Sequence, residues 1–138
     1  VFAIFEDNAG TLWVGTKEGL NKFDRATETF TAYKNDPQDP QSLSDSWINT
    51  IYEDKARVLW VGTQNGLNRL EKDNETFTRF MSNPDDPNNI GANIVYTIYE
   101  DSAGTLWMTH YIASEYGLSS LDPTRKTFSR YAPDPDNP

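Results

Sequence analysis

Short runs of apolar and β-branched residues recur along this chain, and polar, turn-forming residues separate them. In Leu12-Trp13-Val14 successive side chains of an extended strand point to opposite faces, and both faces receive large apolar groups. A strand with one wet face would alternate apolar with polar residues, so these strands belong to sheets that are covered on both sides. No stretch combines the helical period with capping residues, and an all-β fold is predicted.

The runs are organised by an internal repeat. Leu12-Trp13 returns as Leu59-Trp60 and Leu106-Trp107, and Glu6-Asp7 as Glu53-Asp54 and Glu100-Asp101, each time after 47 residues. Gly19-Leu20 maps to Gly66-Leu67 and then Gly117-Leu118, and Thr29-Phe30 to Thr76-Phe77 and then Thr127-Phe128, by 47 and then 51 residues. The third copy therefore holds four extra residues between Trp107 and Gly117. A period of this length is the mark of a repeat architecture.

Each copy contains four strand-like runs. The first runs cover 1–5, 48–52 and 95–99, and the second cover 11–16, 58–63 and 105–109. The third runs begin at Leu20, Leu67 and Leu118, and the fourth centre on 30–33, 77–80 and 128–131. Gly10 and Gly104 stand where a tight hairpin requires a positive φ. Arg57 occupies that place in the second copy, which predicts a looser or strained turn. Asn65-Gly66 and Glu18-Gly19 read as short hairpins, and Asp122-Pro123 as a type I turn. Sheets covered on both faces, four strands to a repeat, describe the blades of a β-propeller, each packed between two neighbours.

The predicted fold is thus a β-propeller fragment of three four-stranded antiparallel blades in an incomplete ring, since about four to eight blades close one. The blades are placed at 1–47, 48–94 and 95–138, the first two each including the lead-in to the next. The chain opens inside a predicted strand, without an initiator Met, and both ends are read as cuts from a longer protein. The remaining blades of that parent chain are expected partners. An isolated fragment would expose apolar end faces and tend to self-associate.

Charge and composition narrow the function. Twenty-one acidic against twelve basic residues give a net charge of −9, with no basic stripe, so nucleic acid is not an expected partner. The chain has no Cys, which excludes disulfides and thiolate metal sites without choosing a compartment. Its apolar runs fall far short of the roughly 20 residues that span a bilayer, so membrane attachment is expected only through flanking segments. No zinc motif, phosphate loop or Ser-His-Asp order is present, and no cofactor is expected.

The segments Ile51-Tyr52-Glu53-Asp54, 59–63 (Leu-Trp-Val-Gly-Thr) and Gly66-Leu67-Asn68, with the proline-rich 36–40 followed by Ser42-Leu43-Ser44, resemble the two-component regulator propeller repeat. The resemblance covers essentially the whole chain. It implies a sensor region of a bacterial transmembrane receptor, commonly a hybrid histidine kinase that detects glycan breakdown products and sometimes a diguanylate cyclase. By resemblance, then, the segment is the periplasmic or extracytoplasmic part of an inner-membrane protein and binds an oligosaccharide or other small molecule. The third copy departs from the pattern, with Met108-Thr109-His110 in place of Val-Gly-Thr.

That departure carries the main candidate site. His110, the one histidine, opens the divergent segment 110–116, where Tyr111 and Tyr116 could stack on a sugar and His110 and Glu115 could hydrogen-bond to it. The competing reading is a tolerated hairpin insertion that touches nothing. Trp47, with Ile94 as its counterpart, lies where an innermost strand begins and could stack on a ligand or pack the rim.

The Glu-Asp pairs could serve as acid and base, but their recurrence in every copy favours hairpin capping. Asp36, Asp39, Asp85, Asp86, Asp134 and Asp136 lie in proline-rich loops without the spacing of a calcium loop, and read as solvated turns. With one His and no Cys, a self-contained active site is not expected. A secreted propeller lyase and a non-catalytic interaction scaffold are the alternatives to a sensor.

Overall fold

Turn chemistry closes each repeat into an antiparallel meander. The computed structural model describes residues 1–83, 85–112, 115–131 and 136, with Ile112, Glu115 and Tyr116 described by their backbone alone. The first sheet is β1 (Ala3–Glu6), β2 (Leu12–Thr16), β3 (Gly19–Asp24) and β4 (Thr29–Tyr33). The second is β5 (Ile48–Glu53), β6 (Leu59–Thr63), β7 (Gly66–Glu71) and β8 (Thr76–Phe80). The third is β9 (Val95–Glu100), β10 (Leu106–Ile112), β11 (Glu115–Leu121) and β12 (Phe128–Tyr131). No helix occurs among the described residues.

One side chain ties the first turn of every sheet to its core. Asp7 Oδ1 accepts the amides of Ala9 and Thr11 at 3.0 and 2.9 Å, while Oδ2 accepts Trp13 Nε1 at 2.9 Å. Asp54 repeats the clamp with the Val58 amide at 3.0 Å and Trp60 Nε1 at 2.9 Å. Asp101 repeats it with the amides of Ala103 and Thr105 and with Trp107 Nε1 at 2.8 Å. Burial alone would raise the Asp7 pKa, but these donors outweigh it and hold the carboxyl below its ordinary value. Arg57 adopts φ 64°, the left-handed conformation that Gly10 and Gly104 hold at 81° and 86°, so the turn keeps its shape under strain.

The sheets stack in chain order, β5 against β1 and β2, and β9 against β5 and β6. The Gly of Leu-Trp-Val-Gly-Thr is what admits the next inner strand. A Cβ on Gly15 would stand 2.6 Å from Ile48 Cγ2, and one on Gly62 would stand 2.6 Å from Thr50 Cγ2 and 2.8 Å from Val95 Cγ1. Between the first two sheets lie Trp13, Leu43, Ile48, Leu59 and Phe77; between the second and third lie Trp60, Ile90, Val95, Leu106 and Phe128. The lead-in residues Leu43 and Ile90 thus plug the two interfaces. Arg79 and Arg130 hold the preceding loops by donating to the carbonyls of Asp39, Ser42 and Leu43, and of Asn83, Asp86 and Asn89.

Coverage on both faces is complete only in the middle. All of Leu59–Thr63 is buried, whereas Leu12 and Val14 in the first sheet and Trp107 in the third are half-buried. The four extra residues of the third copy do not make a separate loop. They lengthen the β10–β11 hairpin, whose strands pair as far as Ile112 and Glu115.

Candidate functional site

The inner strands β1, β5 and β9 begin at the same end of the sheets as the hairpins that follow β2, β6 and β10. This rim gathers residues that differ from copy to copy, unlike the repeated core. Trp47 bridges the first two sheets there. Its ring stacks on Phe2 with centroids 5.8 Å apart, and the Lys17 ammonium lies 4.7 Å from the indole centroid and 5.7 Å from the Phe2 centroid. Trp47 is 36% exposed and Phe2 51% exposed, so an aromatic face remains open to solvent. Beside it an open depression of about 380 Å³ is lined by Val1, Phe2, Thr16, Lys17 and Glu18.

Farther along the rim the chemistry turns to amides and hydroxyls. Gln64 Nε2 donates to Asn49 Oδ1 at 3.1 Å, and Asn49 Nδ2 donates to the Val95 carbonyl at 3.0 Å, tying the second sheet to the third. Asn49 is the repeat counterpart of Phe2 and of Tyr96, and Gln64 of Lys17 and of Tyr111. Tyr96 and Tyr111 are both exposed, and the Thr97 and Thr109 hydroxyls share a 2.7 Å hydrogen bond.

His110 does not stand on this surface. It is fully buried at the position of Thr16 and Thr63, with Nδ1 3.3 Å from the Ile94 carbonyl and Nε2 without a partner. Burial pushes its pKa down to about 4, with the Ile94 hydrogen bond a smaller opposing influence, so the ring is neutral at pH 7. In the second sheet, Ser44 bonds to both Thr63 and Asn68; the third sheet has Gly91 and Ser119 at those two places. There Ser119 Oγ accepts the Gly91 amide at 3.1 Å, and His110 Nε2 is left unsatisfied. Glu115 and Tyr116 take part in the lengthened hairpin by their backbone, and their side chains lie outside the described residues.

The residues of the rim therefore bring Trp47 together with Phe2 and Lys17 and place Tyr111 separately on the lengthened hairpin. Phe2, Lys17, Asn49, Gln64 and Tyr96 were missed by motif reading. A signal for them was present: at positions 2, 49 and 96, and at 17, 64 and 111, no two copies share a residue.

The family described as two component regulator propeller matches at residues 1–18, 42–65 and 89–111, once in each sheet. The chain carries repeats of this propeller family. Each match covers the inner strand and β2, β6 or β10 as far as the rim, and the second and third also take in the lead-in, so the rim hairpins belong to the repeat while their tips vary.

Among solved structures, the extracellular domain of a B. thetaiotaomicron protein assigned as a hybrid two component system aligns over 96% of this chain at 32% identity and TM-score 0.83. A second such domain from B. thetaiotaomicron aligns over 89% at 28% identity and TM-score 0.70. The chain spans 18% and 16% of those two chains. Virginiamycin B lyase from Staphylococcus aureus shares the fold at 15% identity and TM-score 0.65, over 97% of this chain and 42% of the lyase. A histidine kinase of Formosa agariphila is 52% identical over 44 residues, which is 32% of this chain and 3% of the kinase.

The paired carboxylates of the blades have distinct structural duties. Asp7, Asp54 and Asp101 each clamp the turn of their own blade, while Glu53 and Glu100 also reach a backbone amide of the preceding blade. Glu53 Oε1 accepts the Asn8 amide at 2.9 Å, and Glu100 Oε1 accepts the Lys55 amide at 3.1 Å. In the proline-rich loops, Asp36, Asp39 and Asp86 accept the amide two residues on, as turn-forming side chains do. Asp134 lies outside the described residues.

Proposed function

We propose that the chain is a ligand-sensing segment of a propeller in the extracytoplasmic region of a membrane-anchored signalling receptor, of the hybrid two-component histidine kinase type. The observation that carries this reading is the alignment of 96% of the chain, at TM-score 0.83, with the extracellular domain of a protein assigned to that class. The blades are taken at 1–47, 48–94 and 95–138. The segment senses, and the catalytic output belongs to domains outside it.

The ligand we propose is a small glycan fragment held at the rim. Exposed aromatic faces at Phe2, Trp47, Tyr96 and Tyr111 suit the apolar faces of sugar rings, and the amides of Asn49 and Gln64 suit hydroxyls. Lys17, seated on the aromatic pair of an otherwise acidic chain, favours a carboxylate-bearing sugar.

Calorimetric titration of the chain with oligogalacturonates and with neutral gluco-oligosaccharides tests the reading. Saturable binding is expected, stronger for the acidic series, lost in Trp47→Ala and reduced for that series in Lys17→Gln. Absence of binding to either series, or binding indifferent to Trp47→Ala, would overturn the rim as the site.

A further inference from the structure

At the end of the sheets opposite the rim, the two interfaces between sheets differ in charge. Between the first and second sheets, Lys22 of β3 reaches across to Glu75, with Nζ 3.4 Å from Oε1. The repeat puts Arg69 at the position of Lys22, but it puts Arg125 and Lys126 at the positions of Asn74 and Glu75. The acid that answers the cation across the first interface is therefore a cation at the second. Like charges set opposite each other across an interface are unfavourable, and an anion between them removes that cost.

A groove of about 320 Å³ opens at this second interface, where Arg57, Arg69, Lys72 and Arg125 stand against Glu71 and Asp73. Lys72 and Arg125 are engaged by carboxylates behind it, Lys72 by Glu53 at 3.4 Å and Arg125 by Glu100 and Asp54 at 2.7 and 3.3 Å. The other two keep donors free. Arg69 directs Nε to Glu71 Oε1 at 2.7 Å and lies over the Phe80 ring, and its Nη groups have no hydrogen-bond partner among the described residues. Arg57 is exposed, donates Nη1 to Asn8 Oδ1 and enters no ion pair among the described residues. It also holds φ 64° where the other copies have Gly10 and Gly104, so an arginine stands where glycine would be free of strain.

We propose that this groove binds a tetrahedral oxyanion, phosphate or sulfate, free or as an ester, between Arg57 and Arg69. Their planar guanidinium forks suit such a group, which offers several oxygens to donors arriving from different segments. Both walls of the groove, the second and third sheets, lie within the chain, and the site is separate from Trp47 and Lys17 at the rim.

Calorimetric titration of the chain with sodium phosphate, sodium sulfate and phenyl phosphate, at constant ionic strength set with sodium chloride, tests the site. Saturable binding of one anion per chain is expected, with a dissociation constant of about 1 mM or tighter. Tighter binding of phenyl phosphate than of phosphate assigns the group to an ester, and the reverse order assigns it to the free ion. Arg69→Gln should weaken binding about tenfold through loss of charge-assisted hydrogen bonds. Arg57→Gly should do the same, and because it restores the residue of the other copies the turn stays intact. Asp73→Asn should strengthen binding, and Lys34→Gln, which removes a charge outside the groove, should leave it unchanged. No saturable binding of any of these anions, equal losses in Lys34→Gln and Arg69→Gln, or binding lost in Lys17→Gln but kept in Arg57→Gly and Arg69→Gln would overturn the proposal.

Discussion

Replacing Asp54 by Ala removes the acceptor for two donors at once. Asp54 is 4% exposed, Trp60 is fully buried, and the bonds to Trp60 Nε1 and the Val58 amide measure 2.9 and 3.0 Å. The Arg125 guanidinium, 3.3 Å away, loses one of its two carboxylates and keeps Glu100 at 2.7 Å. A hydrogen bond to a charged group contributes about 1.5–3 kcal/mol, and a buried donor stripped of its partner keeps its desolvation cost. Losing both bonds should cost about 3–4 kcal/mol, a large share of the roughly 5–15 kcal/mol that holds a domain folded. Urea unfolding, followed by tryptophan fluorescence and circular dichroism together, should show the midpoint falling by about 2 M at an m-value near 2 kcal/mol/M. Asp54→Asn keeps one acceptor oxygen and should fall between. In the third sheet, Trp107 is half-buried and water can reach its indole N–H, so Asp101→Ala should cost less. An Asp101→Ala loss equal to or larger than the Asp54→Ala loss would refute the claim that burial between blades sets the value of the clamp.

Other predictions follow the same logic. The folded pKa of His110, about 4, lies below its ordinary 6.5, so the unfolded chain binds the extra proton between those values. Its contribution is complete above pH 6.5, and about 3 kcal/mol is lost as the pH falls to 4; His110→Thr, matching Thr63, should flatten the stability profile in that window. Arg57→Gly should relieve the left-handed strain and raise stability by about 1 kcal/mol in the same urea assay, reduced slightly by loss of the exposed contact to Asn8. Gly62→Ala should cost about 1–3 kcal/mol, because its methyl would press on Thr50 and Val95 of the inner strands.

Much of this fold was legible in the sequence because a repeat states the same local problem several times. The spacing of 47 residues located the strands of the first two copies to within a residue or two, since turn residues and apolar runs recur together, whereas β10 and β11 each run three residues farther into their hairpin than expected. Apolar groups on both faces of Leu-Trp-Val required stacked sheets, and the burial of Leu59–Thr63 follows from that pattern. The recurrence of Glu-Asp marked those carboxylates as structural. It did not reveal that Asp reaches the indole of its own blade while Glu reaches across to its neighbour, because six residues of separation become contact only when the hairpin closes.

What the chain by itself determined was therefore the element order, the turn conformations and the demand for cover on both faces, all consequences of local backbone preference and side-chain alternation. What tertiary structure decided was which unlike residues meet. Sequence singled out His110 for its rarity, yet packing places the ring in the interior, with Nδ1 on the Ile94 carbonyl and Nε2 unsatisfied. Phe2, Lys17 and Trp47 are far apart along the chain and carry no motif. They form one surface only because stacking brings the start of β5 beside the start of β1 and the β2–β3 hairpin.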